Sequence, residues 1–255
     1  TLADTERFIG VVDKAAVETE PFSQWVIEDR FAGGRPAWEA GGAIFVRDVA
    51  PYETMKLRML NGTHSMLAYA GFLSGHRYVR EVMRDAALTR LVRRHLGAAA
   101  ATLEPLAGID LAEYAEALMN RFSNPAIAHE TYQIAMDGTE KLPQRILTPA
   151  LHALRNGQDI RPFAFTVAAW MRYCIGKADD GTSFSLRDPR EDAIHAAVQV
   201  QREPSGIVHA LSALPGLFPA ELAGNEHWNG LVSEILTTML ERNMVAAIAA
   251  EAEYL

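Results

Sequence analysis

The chain changes character at Pro51. Before it, three short β-prone runs, Val17 to Glu20, Trp25 to Ile27 and Ala43 to Val46, are held apart by Pro21-Phe22, by the Gly-rich Ala32-Gly33-Gly34-Arg35-Pro36 and by Gly41-Gly42. After it come long segments rich in Ala, Leu, Arg and Glu, with apolar residues recurring at helical spacing. One sheet or one bundle cannot use both patterns at once. The break therefore predicts a β-rich entry over about residues 1–46 and a helical domain over about 47–255, a mainly α, multi-helical fold class.

Within the second part the periodicity predicts helices at about 51–74, 77–97, 110–122, 126–136, 141–155, 162–176, 188–201, 205–212 and 226–253. Pro51 suits a first helical position, and Asp110 followed by Glu113 is a capping-box pattern. Gly75, Gly97 and Gly157 stand where helices are expected to stop. The polar stretch Lys177 to Arg187 reads as a surface loop, and no repeat of 20–50 residues is present.

Composition removes several function classes. No apolar run approaches the ~18 residues a membrane helix needs, and the longest, Met244 to Ala250, is far shorter. The first residues, Thr1-Leu2-Ala3-Asp4, have neither the basic flank nor the apolar centre of a secretion signal. Lys and Arg number 24 against 32 Asp and Glu, a net charge of -8, which argues against a nucleic-acid partner. The one cysteine, Cys174, leaves no internal disulfide and no cysteine-rich zinc site. A soluble, reducing, cytoplasmic setting without a membrane partner is expected. A chain that begins with Thr rather than Met also reads as part of something longer.

The histidines do not make a metal site. His129-Glu130 opens like a zinc-protease motif, but Gln133 stands where the second histidine is needed. Neither Gly-x-Gly-x-x-Gly nor Gly-x-x-x-x-Gly-Lys-Ser/Thr occurs, so most of any nucleotide would be held by residues outside this sequence.

The informative stretch runs from Pro51 to Tyr69. On an ideal helix Glu53, Lys56, Asn61 and His64 fall within an arc of roughly 140°, which Leu57 and Leu60 share. A cleft wall tolerates that mixture, whereas an open face or a dry core does not. A lysine there can be desolvated into a general base, a carboxamide can donate to an oxygen gaining charge, and a histidine can orient a hydroxyl. The plainer alternative is a Glu53–Lys56 surface pair, a local bend at Asn61-Gly62 and a core His64.

Several segments resemble the polyol-specific long-chain dehydrogenases, the family of mannitol 2-dehydrogenase and fructuronate reductase. They are Glu20-Pro21-Phe22-Ser23-Gln24-Trp25, Gly34-Arg35-Pro36-Ala37-Trp38-Glu39, Pro51-Tyr52-Glu53, and Lys56 with Asn61 and His64. Arg121-Phe122-Ser123-Asn124-Pro125 and Asp137-Gly138-Thr139-Glu140-Lys141-Leu142-Pro143-Gln144-Arg145 continue the likeness. The resemblance implies a metal-free oxidoreductase using NAD or NADP. Its C-terminal domain would be helical, like that of 6-phosphogluconate dehydrogenase. Residues 1–46 would be the last strands of a Rossmann domain whose glycine-rich turn precedes Thr1.

By motif position the resemblance makes Lys56 the catalytic base, Asn61 the alkoxide stabiliser, His64 a substrate-hydroxyl ligand and Glu53 a proton relay to solvent. Lys141, Gln133, Arg145 and Arg121 are the implied substrate-binding positions. Gln133 stands where mannitol-type members carry an arginine, and Lys141-Leu142-Pro143-Gln144-Arg145 resembles the fructuronate side, so the expected partner is a small polyol or sugar acid. A competing reading is a non-catalytic helical scaffold derived from that family. Monomer or weak homodimer is expected.

Four tryptophans, Trp25, Trp38, Trp170 and Trp228, are expected in the core, and Cys174 as a buried small hydrophobe. Glu251 and Glu253 read as a solvated end, and the apolar-rich helix near 231–250 as packing within the domain.

Overall fold

The structure is a computed structural model that describes residues 2–17, 19–20, 22–106 and 108–254. It divides into two compact units, Thr1–Val49 and Ala50–Leu255.

The first unit holds a helix, α1 (Leu2–Ile9), and two strands, β1 (Trp25–Glu28) and β2 (Ala43–Val46). The strands pair in parallel with Trp25 opposite Ala43, and residues 29–42 make the crossover that parallel pairing requires. Arg35 organises that crossover. Its guanidinium lies 3.4 Å from the Phe45 ring centroid and pairs with Asp29 at 3.2 Å and Glu39 at 2.6 Å. Trp38 stacks on Trp25 with centroids 5.6 Å apart. The family-like run Gly34 to Glu39 thus does structural work inside this unit.

Three expectations for this region are corrected. Residues 2–9 are helical, because apolar Leu2, Phe8 and Ile9 with Asp4 and Arg7 satisfy a helix period as well as a strand. Val17, Thr19 and Glu20 form no strand, and Glu18 lies outside the described residues. Trp25 is 56% exposed and Trp38 also lies at the surface of the two-stranded pair in this chain.

The second unit has helices and no strand of more than an isolated bridge among its described residues. Its helices are α2 (Ala50–Met55), α3 (Gly62–Leu73), α4 (Val79–Val82), α5 (Ala86–Ala101), α6 (Leu111–Phe122), α7 (Thr131–Ala135), α8 (Gly138–Leu142), α9 (Thr148–Arg155) and α10 (Arg161–Tyr173). They continue with α11 (Glu191–Val198), α12 (Pro204–Ser212), α13 (Ala220–Ala223), α14 (Glu226–Glu241) and α15 (Met244–Glu253). Two π-helical segments interrupt the series: Lys56–Asn61 joins α2 to α3, and Pro143–Leu147 joins α8 to α9.

The centre is α10, buried on every side from Pro162 to Tyr173 as its all-round apolar sequence requires. It packs on α14, α3 and α5, with α12 behind α14 and α15 against α5 and α14. Trp170, Trp228 and Cys174 are buried as expected, and α14 packs inside the domain.

Cap chemistry decides the boundaries that periodicity misplaces. Asp110 starts α6 by accepting from the amides of Ala112 and Glu113. The segment read as one helix over 77–97 is two, because Asp85 accepts from Ala87 and Leu88 and restarts the chain as α5. Gly97 is therefore an interior residue of α5 and not a stop, whereas Gly75 and Gly157 do end helices with positive φ. The helix expected over 226–253 breaks at Asn243, φ 114°, whose side chain accepts from Ala246 to start α15. Only residues 131–135 of the span 126–136 are helical.

Glu251 overturns the reading of a solvated end. It is 6% exposed and accepts two hydrogen bonds from Arg161, at 2.8 and 2.6 Å.

Candidate active site

The helix from Ala50 to Leu73 carries four of the expected residues in one unbroken rod. Its middle is π-helical: the Gly62 amide bonds back to the Leu57 carbonyl, five residues earlier. One inserted residue turns everything after it back by ~100°, so Asn61 and His64 swing toward Lys56 and the arc of roughly 140° contracts to roughly 80°. Leu60 leaves that face and is buried, while Lys56 and Glu53 stand exposed.

The expected desolvation of Lys56 is not produced by this chain. Among the described residues its amine has no hydrogen-bond or ion-pair partner, Glu53 included. Asn61 and His64 are half-buried further along the same rod.

His64 sits in the most strongly perturbed position of the group. Its ring packs 4.9 Å from Phe122 and 5.2 Å from His129. Burial, with His129, Arg145 and Arg121 adding positive field, lowers its pKa to about 3, so the imidazole is neutral at any ordinary working pH. The same relation shows that Arg145 and Arg121, distant in sequence, act on this imidazole.

Arg145 projects from the second π-helical segment, which packs on the first. Burial pushes its pKa down, and its Nε is buried without a hydrogen-bond partner. An orphaned guanidinium N–H facing no acceptor is costly unless something else fills the place. Among the described residues Arg145 makes no ion pair.

Lys141 and Gln133 meet through α7. The Lys141 amine donates to the carbonyls of Met136 at 2.6 Å and Ile134 at 3.4 Å, and lies 3.5 Å from the Asp137 carboxylate. It thereby holds the C-terminal end of the helix on whose exposed side Gln133 stands. Asp188 fixes the next turn, accepting from the amide and hydroxyl of Thr139 at 2.8 and 2.6 Å.

Phe122 and His129 were not singled out as site residues by the sequence. Phe122 lies within the family-like run beginning at Arg121, which was the available signal; nothing local marks His129 as a neighbour of His64. Among the described residues no group of three or more His, Cys, Asp or Glu is placed to hold a metal ion. Among the described residues no helix is long and apolar enough to cross a membrane.

The helix from Ala50 to Leu73 thus carries an amine, a carboxamide and a neutral imidazole, and the field of half-buried Arg145 reaches the imidazole. Residues 48–240 match the mannitol dehydrogenase C-terminal domain, and the chain belongs to that family.

It is 42% identical over 255 residues to the D-mannonate oxidoreductase of Escherichia coli K12, spanning 98% of this chain and 51% of that protein. It is 37% identical over 243 residues to the mannitol 2-dehydrogenase of Aspergillus terreus, 93% of this chain and 46% of that one. The mannitol 2-dehydrogenase of Pseudomonas fluorescens, solved in ternary complex with NAD and D-mannitol, superposes with a TM-score of 0.85 at 32% identity, over 92% of this chain and 48% of that one. The chain spans about half the length of the curated relatives it matches.

Proposed function

We propose that this chain is the substrate-side half of an NAD(P)-dependent oxidoreductase that interconverts a secondary hydroxyl of a polyol or sugar acid with the corresponding ketone, without a metal. The observation that carries this is the π-helical turn. It sets an unpartnered amine (Lys56), a carboxamide (Asn61) and an imidazole held neutral (His64) on one narrow face. The relatives named above, a D-mannonate oxidoreductase and mannitol dehydrogenases, support the same reading.

The donor set suits the reacting end of the site: it recognises hydroxyls and offers no phosphate cradle. The nicotinamide, when bound, supplies the carbon that exchanges hydride with the substrate. Lys56, uncharged in the oxidative direction, accepts the hydroxyl proton; in reduction its ammonium returns it. The amine is exposed in this chain, and its desolvation would come from whatever closes over it. Asn61 donates to the oxygen as negative charge grows there. His64, neutral, orients a neighbouring hydroxyl, and Glu53 on the solvent side passes the proton outward. The positive charge that zinc supplies in other alcohol dehydrogenases is supplied here by the lysine.

Within this class the site favours the sugar acid, of the mannonate/fructuronate type. Gln133 supplies no cation, while the buried, unpartnered Nε of Arg145 suits a carboxylate, with Arg121 and Lys141 nearby in the family-like segments.

The test is a panel of D-mannitol, D-fructose, D-mannonate and D-fructuronate with NAD and NADP, on the full natural protein and its Lys56→Ala variant. Turnover with a mannonate/fructuronate pair, unaffected by a chelator and reduced by about 10²–10⁴-fold in the variant, is the expected result. Near-normal turnover in Lys56→Ala removes the lysine from its role, and a preference for fructose over fructuronate removes the sugar-acid reading.

A further inference from the structure

The second π-helical segment has a local cause. Pro149 lies about three turns inside the helical run that begins at Gly138 and has no N–H to give the carbonyl of Arg145, four residues earlier. A proline there also presses its ring on that carbonyl. The ladder adjusts by skipping a residue: the Thr148 amide bonds to the Pro143 carbonyl, five residues back.

The displaced carbonyl has a specific destination. It lies 2.9 Å from the place a Cβ would occupy on Gly62, the residue at the exit of the first π-helical segment. On the same glycine a Cβ would meet His95 Nε2 at 3.4 Å and Ile146 Cδ1 at 3.5 Å. Only hydrogen fits. Each segment thus contributes one residue of unusual backbone chemistry to a single contact: a proline that pushes a carbonyl out, and a glycine that receives it.

We propose that Pro149 and Gly62 are a matched pair of positioning residues that lock the two π-helical segments together. They thereby set where Arg145 lies relative to His64 and keep Asn61 in phase with Lys56. The proposal rests on the site reading above only for its activity readout. The lock itself is a statement about backbone geometry.

Pro149→Ala separates this from a structural role, because it restores an N–H and relieves a ring clash in a helix interior. If Pro149 only packs, the variant is as active as the parent and at least as stable. If it positions, the segment relaxes toward an ordinary helix, Arg145 turns away, and activity falls while the melting temperature holds or rises. Gly62→Ala attacks the same contact from the other side. Gly71→Ala is the control: it is crowded on the same helix, with Val82 Cγ2 2.4 Å and Thr131 Cγ2 3.2 Å from the added carbon, but it meets side chains and not the displaced carbonyl.

The experiment measures kcat, KM, melting temperature and the imidazole ¹⁵N resonances of His64 in the full natural protein. D-Mannonate and D-mannitol are the substrates. Pro149→Ala and Gly62→Ala are expected to lower kcat by about tenfold or more, as misplacement of reacting groups by a fraction of an ångström does. Both should also move the His64 resonances, while Gly71→Ala lowers only the melting temperature. Should Gly62→Ala fail to fold, Pro149→Ala decides alone. Unchanged His64 resonances and kcat in Pro149→Ala overturn the lock. Moved resonances in a protein that oxidises neither substrate keep the lock and remove the proposed function.

Discussion

His95 gives a prediction whose size follows from the structure. Its ring is 1% exposed, on α5 where that helix packs against α3 and α10. Nδ1 lies 3.4 Å from the Thr166 hydroxyl, and Nε2 is buried without a partner. Burial lowers its pKa from 6.5 to about 4, partly offset by the Pro162 carbonyl. A small cavity beside it is lined by Arg94 and Glu251, and Glu251 is already engaged by Arg161. No carboxylate is therefore left to stabilise a proton on the ring.

Because the folded value lies below the unfolded one, the unfolded chain takes up the proton first as the solution is acidified. The stabilisation is complete above about pH 6.5 and is lost as pH falls from there toward about 4. At 1.36 kcal/mol per unit, that interval amounts to about 3 kcal/mol, of which about 2 kcal/mol is lost by pH 5. Leucine at position 95 is apolar, of similar bulk, and carries no proton. His95→Leu should change stability at pH 7.5 by less than about 1.5 kcal/mol. Between pH 7.5 and pH 5.0 it should lose about 2 kcal/mol less than the parent. Urea denaturation of both proteins at the two pH values measures the difference, and carboxylates common to both cancel. Equal acid losses in parent and variant would refute the reasoning.

Two further outcomes follow from the same kind of reading. Asp188→Asn places an amide N–H against the Thr139 amide now held at 2.8 Å, and should cost about 1.5–3 kcal/mol in urea denaturation, with a rise in KM as the turn before Lys141 loosens; unchanged stability would show that the contact is dispensable. Cys174 is buried, and burial beside Asp188 pushes its thiol pKa well up, so a disulfide reagent should label it only as fast as the protein unfolds; rapid labelling of the native protein would contradict that placement.

The sequence alone determined the change of pattern near Pro51, the helical content after it, the position of most helices and that Glu53, Lys56, Asn61 and His64 lie along one helical rod. These are written in local patterns, in apolar periodicity, cap residues and a motif of fixed spacing, which act within a few residues of themselves. It misjudged Gly97 and the single helix over 77–97, because a side-chain cap at Asp85 outweighs a periodicity that runs through it. It expected Trp25 and Trp38 to be buried, whereas both lie at the surface of this chain, because hydrophobicity says what a residue prefers and not what packs over it.

Tertiary structure decided the rest. Neither π-helical segment leaves a period in the sequence: Pro149 suggests the second only once its run is known to be helical, and nothing local marks the first. That Arg145 and Arg121 bear on His64 and that Glu251 is buried against Arg161 both depend on residues tens of positions apart lying close. Such encounters are set by how whole helices pack. A short stretch of sequence can specify a helix and its face, but the electrostatic environment of that face belongs to the neighbours that packing brings.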